Sequence, residues 1–265
     1  MTKNTLRVMM IGDVSGQCGM GALFLGLSSA IREYKADFVI CNGENAAGGF
    51  GITLDDYTRM KEAGVDVITS GNHIWQKDEI FSVMERNDDI LRPLNYPDPS
   101  IGKGATVKSV SGIEIAVINL QGRVDMMSID DPFRKAESMV RNLRKRTPLI
   151  FVDFHAEATA EKRCLAEYAK GRVTAVIGTH THVQTNDAKI LANGTFFLTD
   201  AGMNGAYDSS LGVELDGAIY RTVTGIPSLN AIPRKGRKLV NAVSLVIDIE
   251  QKKVIEYSLI NEVMC

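Results

Sequence analysis

The chain holds four histidines, His73, His155, His180 and His182, and each stands just after, or at the end of, an apolar strand-like run. Carboxylates and amides occupy the same kind of position. Asp13 follows the run over 6–11, Glu44 and Asn45 follow 38–41, and Asn72 directly precedes His73. In open α/β sheets the carboxyl ends of strands are where ligands bind. Alone, His73 reads equally as a hydrogen-bonded loop histidine, while Asp13 reads first as a metal ligand and second as a helix N-cap. Together, the residues point to a metal or acid/base site. Imidazole and oxygen donors without cysteine suit Mn, Fe, Zn, Co or Ni better than a thiolate centre would. The eight donors Asp13, Glu44, Asn45, Asn72, His73, His155, His180 and His182 exceed what one tetrahedral ion needs. They match two ions sharing one carboxylate, with Glu44 as the natural bridge. Such ions stand roughly 3.5–4 Å apart, hold a bridging hydroxide and clamp two phosphoryl oxygens. One histidine is then left outside the metal shell to protonate the leaving oxygen.

Elements that deliver these residues follow from the apolar pattern. Buried strands are expected over 6–11, 38–41, 65–69, 149–154 and 174–177, with helices over 22–34, 54–63, 76–86, 133–146 and 160–170. Gly12 to Gly21 reads as a Gly-rich loop between the first strand and helix, matching neither the Walker nor the dinucleotide pattern. Thr53 with Asp56 resembles a capping box, and Gly64 closes that helix. Hairpins are expected around Ser111-Gly112, around Asn193-Gly194 as a two-residue turn, and around Glu250-Gln251. Residues 121–131 are a polar stretch and a candidate flap, and residues 200–221 show little periodicity. Strand–helix repeats followed by repeats broken by hairpins predict two sheets flanked by helices in a single domain over 1–265. Small cap elements are allowed for between Ile74 and Arg134.

At these motifs the sequence resembles the calcineurin-like metallophosphoesterases, whose pattern is Asp-x-His, Gly-Asp, Gly-Asn-His, a lone His and Gly-His-x-His. Here it stands as Gly12-Asp13-Val14-Ser15, Asn42-Gly43-Glu44-Asn45, Gly71-Asn72-His73, Phe154-His155-Ala156-Glu157 and Gly178-Thr179-His180-Thr181-His182. Ser15 takes the place of the first histidine and Glu44 that of the bridging aspartate. With Thr199-Asp200-Ala201-Gly202-Met203, these features resemble the YmdB-type branch of bacterial phosphodiesterases over essentially the whole chain. The resemblance implies a four-layer α/β/β/α sandwich, two metal ions (iron or manganese foremost) and hydrolysis of phosphodiesters such as 2′,3′-cyclic nucleotides. It also suggests self-association. Carried over by position, it puts Asp13, Asn45 and His182 on the first metal, Glu44 between the two, and Asn72, His155 and His180 on the second. His73 becomes the general acid. With serine at position 15, Asn45 is expected to supply the missing ligand; a weaker first site is the competing expectation. Asp153 and Glu157, flanking His155, are candidates to orient an imidazole; Glu157 reads equally as a helix-start charge.

Composition narrows the partners. At 265 residues, 45% hydrophobic, 23% charged and a net charge of −2, the chain is ordinary for a globular protein. It offers no charge for nonspecific binding to nucleic acid or anionic membranes, and its 6% aromatics do not favour a single-strand groove. No apolar run approaches bilayer length, and the N-terminus, running straight into a strand, lacks a signal-peptide h-region. Cys18, Cys41, Cys164 and Cys265 form no CxxC pair, so a reducing cytoplasm is expected. The leading expectation is a dimetal phosphodiesterase on small cyclic nucleotides. The alternatives are a nuclease or phosphatase on other phosphoesters, and a non-catalytic metal-dependent sensor.

Overall fold

The computed structural model describes residues 4–265; residues 1–3, read above as leading into the first strand, lie outside the described part. The order is β1 (Thr5–Ile11), β2 (Asp13–Val14), α1 (Gly16–Tyr34), β3 (Phe38–Asn42), α2 (Leu54–Ala63), β4 (Val67–Thr69) and α3 (Glu79–Arg86). Then come β5 (Ala105–Val110), β6 (Ile113–Gln121), α4 (Pro132–Leu143), β7 (Ile150–His155), α5 (Thr159–Ala169) and β8 (Ala175–Thr179). The chain closes with β9 (Lys189–Ile190), β10 (Phe196–Leu198), β11 (Met203–Ala206), α6 (Leu215–Thr224), β12 (Lys238–Asp248) and β13 (Lys253–Met264).

Two sheets result. The first runs β2-β11-β12-β1-β3-β4, with β13 paired along β12; the second runs β5-β6-β7-β8-β10-β9. Strand alternation divides the apolar side chains between the faces of each sheet. Val8, Met10, Phe38 and Ile40 face Ile115, Val117, Phe151 and Ile177 in the core between the sheets. Met9, Ile11, Val39 and Cys41 face outward into a core with Leu23 and Leu27 of α1, Met60 of α2 and Ile80 of α3. Ile118, Ile150 and Val152 face outward to Val140 of α4 and Leu165 of α5. Three cores separate four layers, so the fold is the α/β/β/α sandwich that the resemblance implied. β1, β3 and β4 are mutually parallel in one sheet, and β6, β7 and β8 in the other. The carboxyl ends of β1, β3 and β4 therefore form one rim, and those of β7 and β8 another. The stretch between Ile74 and Arg134 supplies α3, β5 and β6 to these layers.

Several expectations are corrected. The Gly-rich stretch after β1 is not a loop, because α1 begins at Gly16 rather than at residue 22. Glycine costs roughly 1 kcal/mol in a helix interior, and close packing explains its use here. A Cβ on Gly19 would lie 2.3 Å from the Asn204 carbonyl oxygen of β11. The helix expected from residue 76 is split into a 3-10 turn, Ile74–Gln76, and α3. Asn193-Gly194 is not a two-residue turn. It sits in a 3-10 turn, Ala192–Gly194, and the first cross-strand pair is Ile190 with Phe196. Residues 200–221, without clear periodicity, contain β11 and most of α6. The Thr53–Asp56 capping box and the left-handed Gly64 stop are both present. The Ser111-Gly112 and Glu250-Gln251 hairpins form, with β12 and β13 longer than expected.

Candidate metal centre

The two rims face each other, and every candidate donor lies between them. Asp13 is fully buried and is not the N-cap of α1; that position is Ser15, which makes no side-chain cap bond. Asp13 Oδ2 accepts the His180 backbone N–H at 2.9 Å, while its Oδ1 is buried with no hydrogen-bond partner. Glu44, 1% exposed, places Oε1 2.9 Å from His155 Nε2 and accepts the His73 backbone N–H on Oε2. Asn72 Oδ1 lies 3.1 Å, and His180 Nδ1 3.0 Å, from the same His155 Nε2. Gly71 leaves room for this. A Cβ there would sit 2.1 Å from the His155 ring and 2.3 Å from the Glu44 carboxylate.

His155, His180 and His182 each have the outer ring nitrogen occupied, which decides what the inner one offers. His155 Nδ1 is 2.9 Å from Thr179 Oγ1, and the Thr179 hydroxyl donates to Asp153 Oδ1 at 2.8 Å. With its single proton committed to Asp153, Thr179 must accept from His155 Nδ1, so in the neutral ring it is Nε2 that turns a lone pair inward. His180 Nε2 lies 3.2 Å from the Glu157 carboxylate, which leaves Nδ1 inward-facing. His182 Nδ1 donates to the Leu211 carbonyl at 2.9 Å, which leaves Nε2 inward-facing. His180 and His182 hold φ of 106° and 65°, a region that costs non-glycine residues energy and clusters at functional sites.

The acceptors thus outnumber the protons available to them. A proton on His155 Nε2 can satisfy only one of Glu44, Asn72 and His180, whereas a cation meets all of them. Donor atoms of Glu44, His155 and His180 all lie within 4.8 Å of one another, as a bound ion requires. The charge balance points the same way. Burial pushes the Asp13 carboxyl up to about 7, against the pull of His155 and His182 and with the push of Glu44. Burial would raise Glu44 too, but His155, by charge and hydrogen bond, and then His73 and His180 bring it down to about 2. Burial opposes a charge on His155, yet Glu44, Asp13 and Asp153 raise it to about 9. Burial and then the charge of His155 push His180 down to about 3.

The second group is looser. Asn45 presents its amide Nδ2 to His182 Nε2 at 3.1 Å and to Glu44 Oε1 at 3.3 Å. Turning the near-isosteric amide over would present its oxygen instead. His73 stands apart from the cluster of inward nitrogens. Its ring meets Phe50 edge-on with centroids 5.0 Å apart, and it lines a cavity of about 160 Å³ with Glu44, His180 and His182. Burial, opposed by Glu44 and helped by His155 and His182, holds the His73 pKa below its usual value.

Residues outside the candidate donor set hold the centre from behind. Thr69, Asn42 and Thr179 all donate to the buried Asp153 carboxylate, at 2.5, 3.0 and 2.8 Å. The fully buried Lys162 donates to Asp200 Oδ2 and to the Thr179 carbonyl, both at 2.8 Å. Asp200 Oδ2 in turn accepts the Thr181 backbone N–H, which fixes the turn bearing His180 and His182. Lys162 stands between Glu161 and Arg163 and carries no signal in the sequence, whereas Asp200 belongs to the Thr199-Asp200-Ala201-Gly202-Met203 motif.

Fold and site together define a metallophosphoesterase. The YmdB-like protein family model matches residues 9–260, and the chain belongs to that family. It is 44% identical over 259 residues to the 2′,3′-cyclic-nucleotide 2′-phosphodiesterase of Bacillus subtilis (strain 168), covering 97% of this chain and 98% of that one. A hypothetical protein from Thermus thermophilus shares 38% identity with a TM-score of 0.91, over 98% of this chain and all of the other (100%). A structure described as a novel phosphatase of Mycoplasma pneumoniae shares 32% identity with a TM-score of 0.93, over 99% and 95% of the two chains. Among the described residues no helix is long and apolar enough to cross a membrane.

Proposed function

We propose that this chain is a metal-dependent phosphodiesterase that hydrolyses small phosphodiesters, 2′,3′-cyclic nucleotides first among them. One observation carries the reading. Three histidines, each with its outer N–H committed, turn their inner nitrogens toward Glu44 and the two asparagines, beside an open cavity that holds His73. Asp13, Asn45 and His182 would hold one ion, Asn72, His155 and His180 the other, and Glu44 both; iron or manganese suits these donors. When bound, two such ions lower the pKa of water and neutralise charge on the phosphoryl oxygens. The chain's own residues do the rest. His73 lies outside the donor set and faces the cavity, so it is placed to give its proton to the leaving 2′-oxygen as the P–O bond breaks. A lowered pKa makes the protonated ring a stronger acid for that step. Asp153, through Thr179, and Glu157 keep His155 and His180 in the tautomers that leave their inner nitrogens unprotonated. Both sheets contribute donors to one site, so the chain acts as a single domain in this reading. The relative named as a 2′,3′-cyclic-nucleotide 2′-phosphodiesterase, aligned over nearly the whole chain, supports the substrate class. The four cysteines are free, which suits a reducing cytoplasm.

The test is turnover of 2′,3′-cyclic AMP by the purified chain with Mn²⁺ and with chelator, beside His73→Ala. Hydrolysis should require the metal and should fall about 10²–10⁴-fold in the variant, with bound metal unchanged. Absence of turnover by metal-loaded protein would overturn the reading, and full activity in His73→Ala would remove His73 from its role.

A further inference from the structure

Next to the site cavity lies a larger one, of about 570 Å³, and Asn230 and Ile232 line both. These two residues belong to a strap over 225–236 that joins α6 to β12. Left-handed glycines bound it, Gly225 at φ 70° and Gly236 at φ 120°. The strap is pinned along its length. Ser228 Oγ donates to the Gly217 carbonyl at 3.0 Å, the Glu214 N–H to the Ala231 carbonyl at 2.8 Å, and the buried Cys18 thiol to the Pro233 carbonyl at 3.3 Å. These pins seat the Ile232 side chain between Gly16 and Gly49. A Cβ on either glycine would lie 2.7 Å from Ile232, and both glycines hold positive φ, 57° and 97°. The backbone on both sides of the active-site entrance is therefore shaped around this one side chain.

The chemistry of the larger cavity is mixed rather than anionic or cationic. Arg59, Arg234, Asp55 and Asp56 all line it, and Gln17 adds an amide. Asp56 is already engaged in the capping box with Thr53, and Arg59 approaches Asp55 at 3.8 Å. With its charges balanced, this cavity does not select a phosphate. Donors and acceptors at close quarters suit the edges of a nucleobase and its ribose.

We propose that Ile232 is a specificity-determining residue. It walls a nucleoside-sized cavity off from the phosphodiester site, and so restricts the chain to substrates carrying a nucleoside on only one side of the scissile phosphorus. This rests on the phosphodiesterase reading above. Opening the wall would admit a dinucleoside monophosphate, its second nucleoside in the larger cavity. Water oxygen would bond to phosphorus, one P–O ester bond would break, and the leaving hydroxyl would take the proton.

The experiment compares kcat/KM for adenylyl-(3′,5′)-adenosine and for 2′,3′-cyclic AMP, with Mn²⁺, in the wild type, Ile232→Ala and Ile232→Ala/Gln17→Ala. The ratio of dinucleoside to cyclic substrate should rise about tenfold or more in Ile232→Ala, the scale of a pocket-wall change. The added Gln17→Ala should cancel that gain while leaving turnover of cyclic AMP as it is in Ile232→Ala. An unchanged ratio overturns the proposal, as does a gain that Gln17→Ala leaves intact, since a merely loosened strap would do the same. If Ile232→Ala fails to fold, Ile232→Val is judged by the same ratio. A wild type that hydrolyses cyclic AMP with no change of ratio in the variants sinks this proposal alone. A wild type inactive on both substrates sinks the phosphodiesterase reading and this proposal with it.

Discussion

The two halves of the donor set are built differently. Around His155 the inner half is the more deeply buried, and it reaches the cavity through His180 and Glu44. His155 is fully buried, three acceptors lie 2.9–3.1 Å from one of its nitrogens, and its other nitrogen is tied through Thr179 to Asp153. Around His182 the outer half borders the cavity. It contains a hydrogen-bond donor, the Asn45 amide, and an orphaned carboxylate oxygen on Asp13. The inner half sets its acceptors around His155 Nε2 and has only to release the proton held there, with no side chain turned, to receive a cation. The outer half must first turn the Asn45 amide. Where the superfamily pattern has a histidine this chain has Ser15, which lines the cavity instead. A preformed site and one that must reorganise should differ in affinity, because reorganisation costs binding energy.

Glu44→Ala should break the comparison altogether. Glu44 touches His155 and Asn45, one member of each half. Its loss should remove both classes of bound metal and leave no turnover above a chelator control, as metal analysis and an activity assay would show. Thr179→Val should have the next largest effect, and only on the inner half. It cuts the link from His155 to Asp153, and such supporting contacts are worth about 10–100-fold in metal affinity. Calorimetric titration with Mn²⁺ would show the tighter phase weakened and the weaker one unmoved. Asn45→Asp should be the mildest change and should act on the outer half alone. A carboxylate accepts from either side and carries charge, so the weaker phase should tighten while the tighter one stays put.

What was legible beforehand divides along a physical line. Apolar runs announce strands, and a polar residue directly after such a run is at a carboxyl end, so Asp13, Glu44, Asn45, Asn72 and all four histidines could be placed from the chain alone. The residues behind them could not. Thr69 and Thr179 are the last residues of their strands, where β-branched residues are ordinary, and their bonds to Asp153 span 84 and 26 positions. Lys162 sits on α5 and reads as a surface lysine until the fold buries it against Asp200. Glycine misled in both directions. Gly12 to Gly21 read as a Gly-rich loop, although from Gly16 onward the need is room within a helix, for Asn204 against Gly19 and for Ile232 against Gly16. The strap that carries Ile232 has no regular secondary structure and left no periodic trace.

The most direct measurement is a calorimetric titration of metal-free protein with Mn²⁺, run on the wild type, His180→Ala and His182→Ala. The wild type should bind two ions per chain in two phases of unequal affinity. His180→Ala should lose the tighter phase and His182→Ala the weaker. A single ion per chain, two indistinguishable ions, or loss of the tighter phase in His182→Ala would contradict a preformed inner site and an outer one that must rearrange.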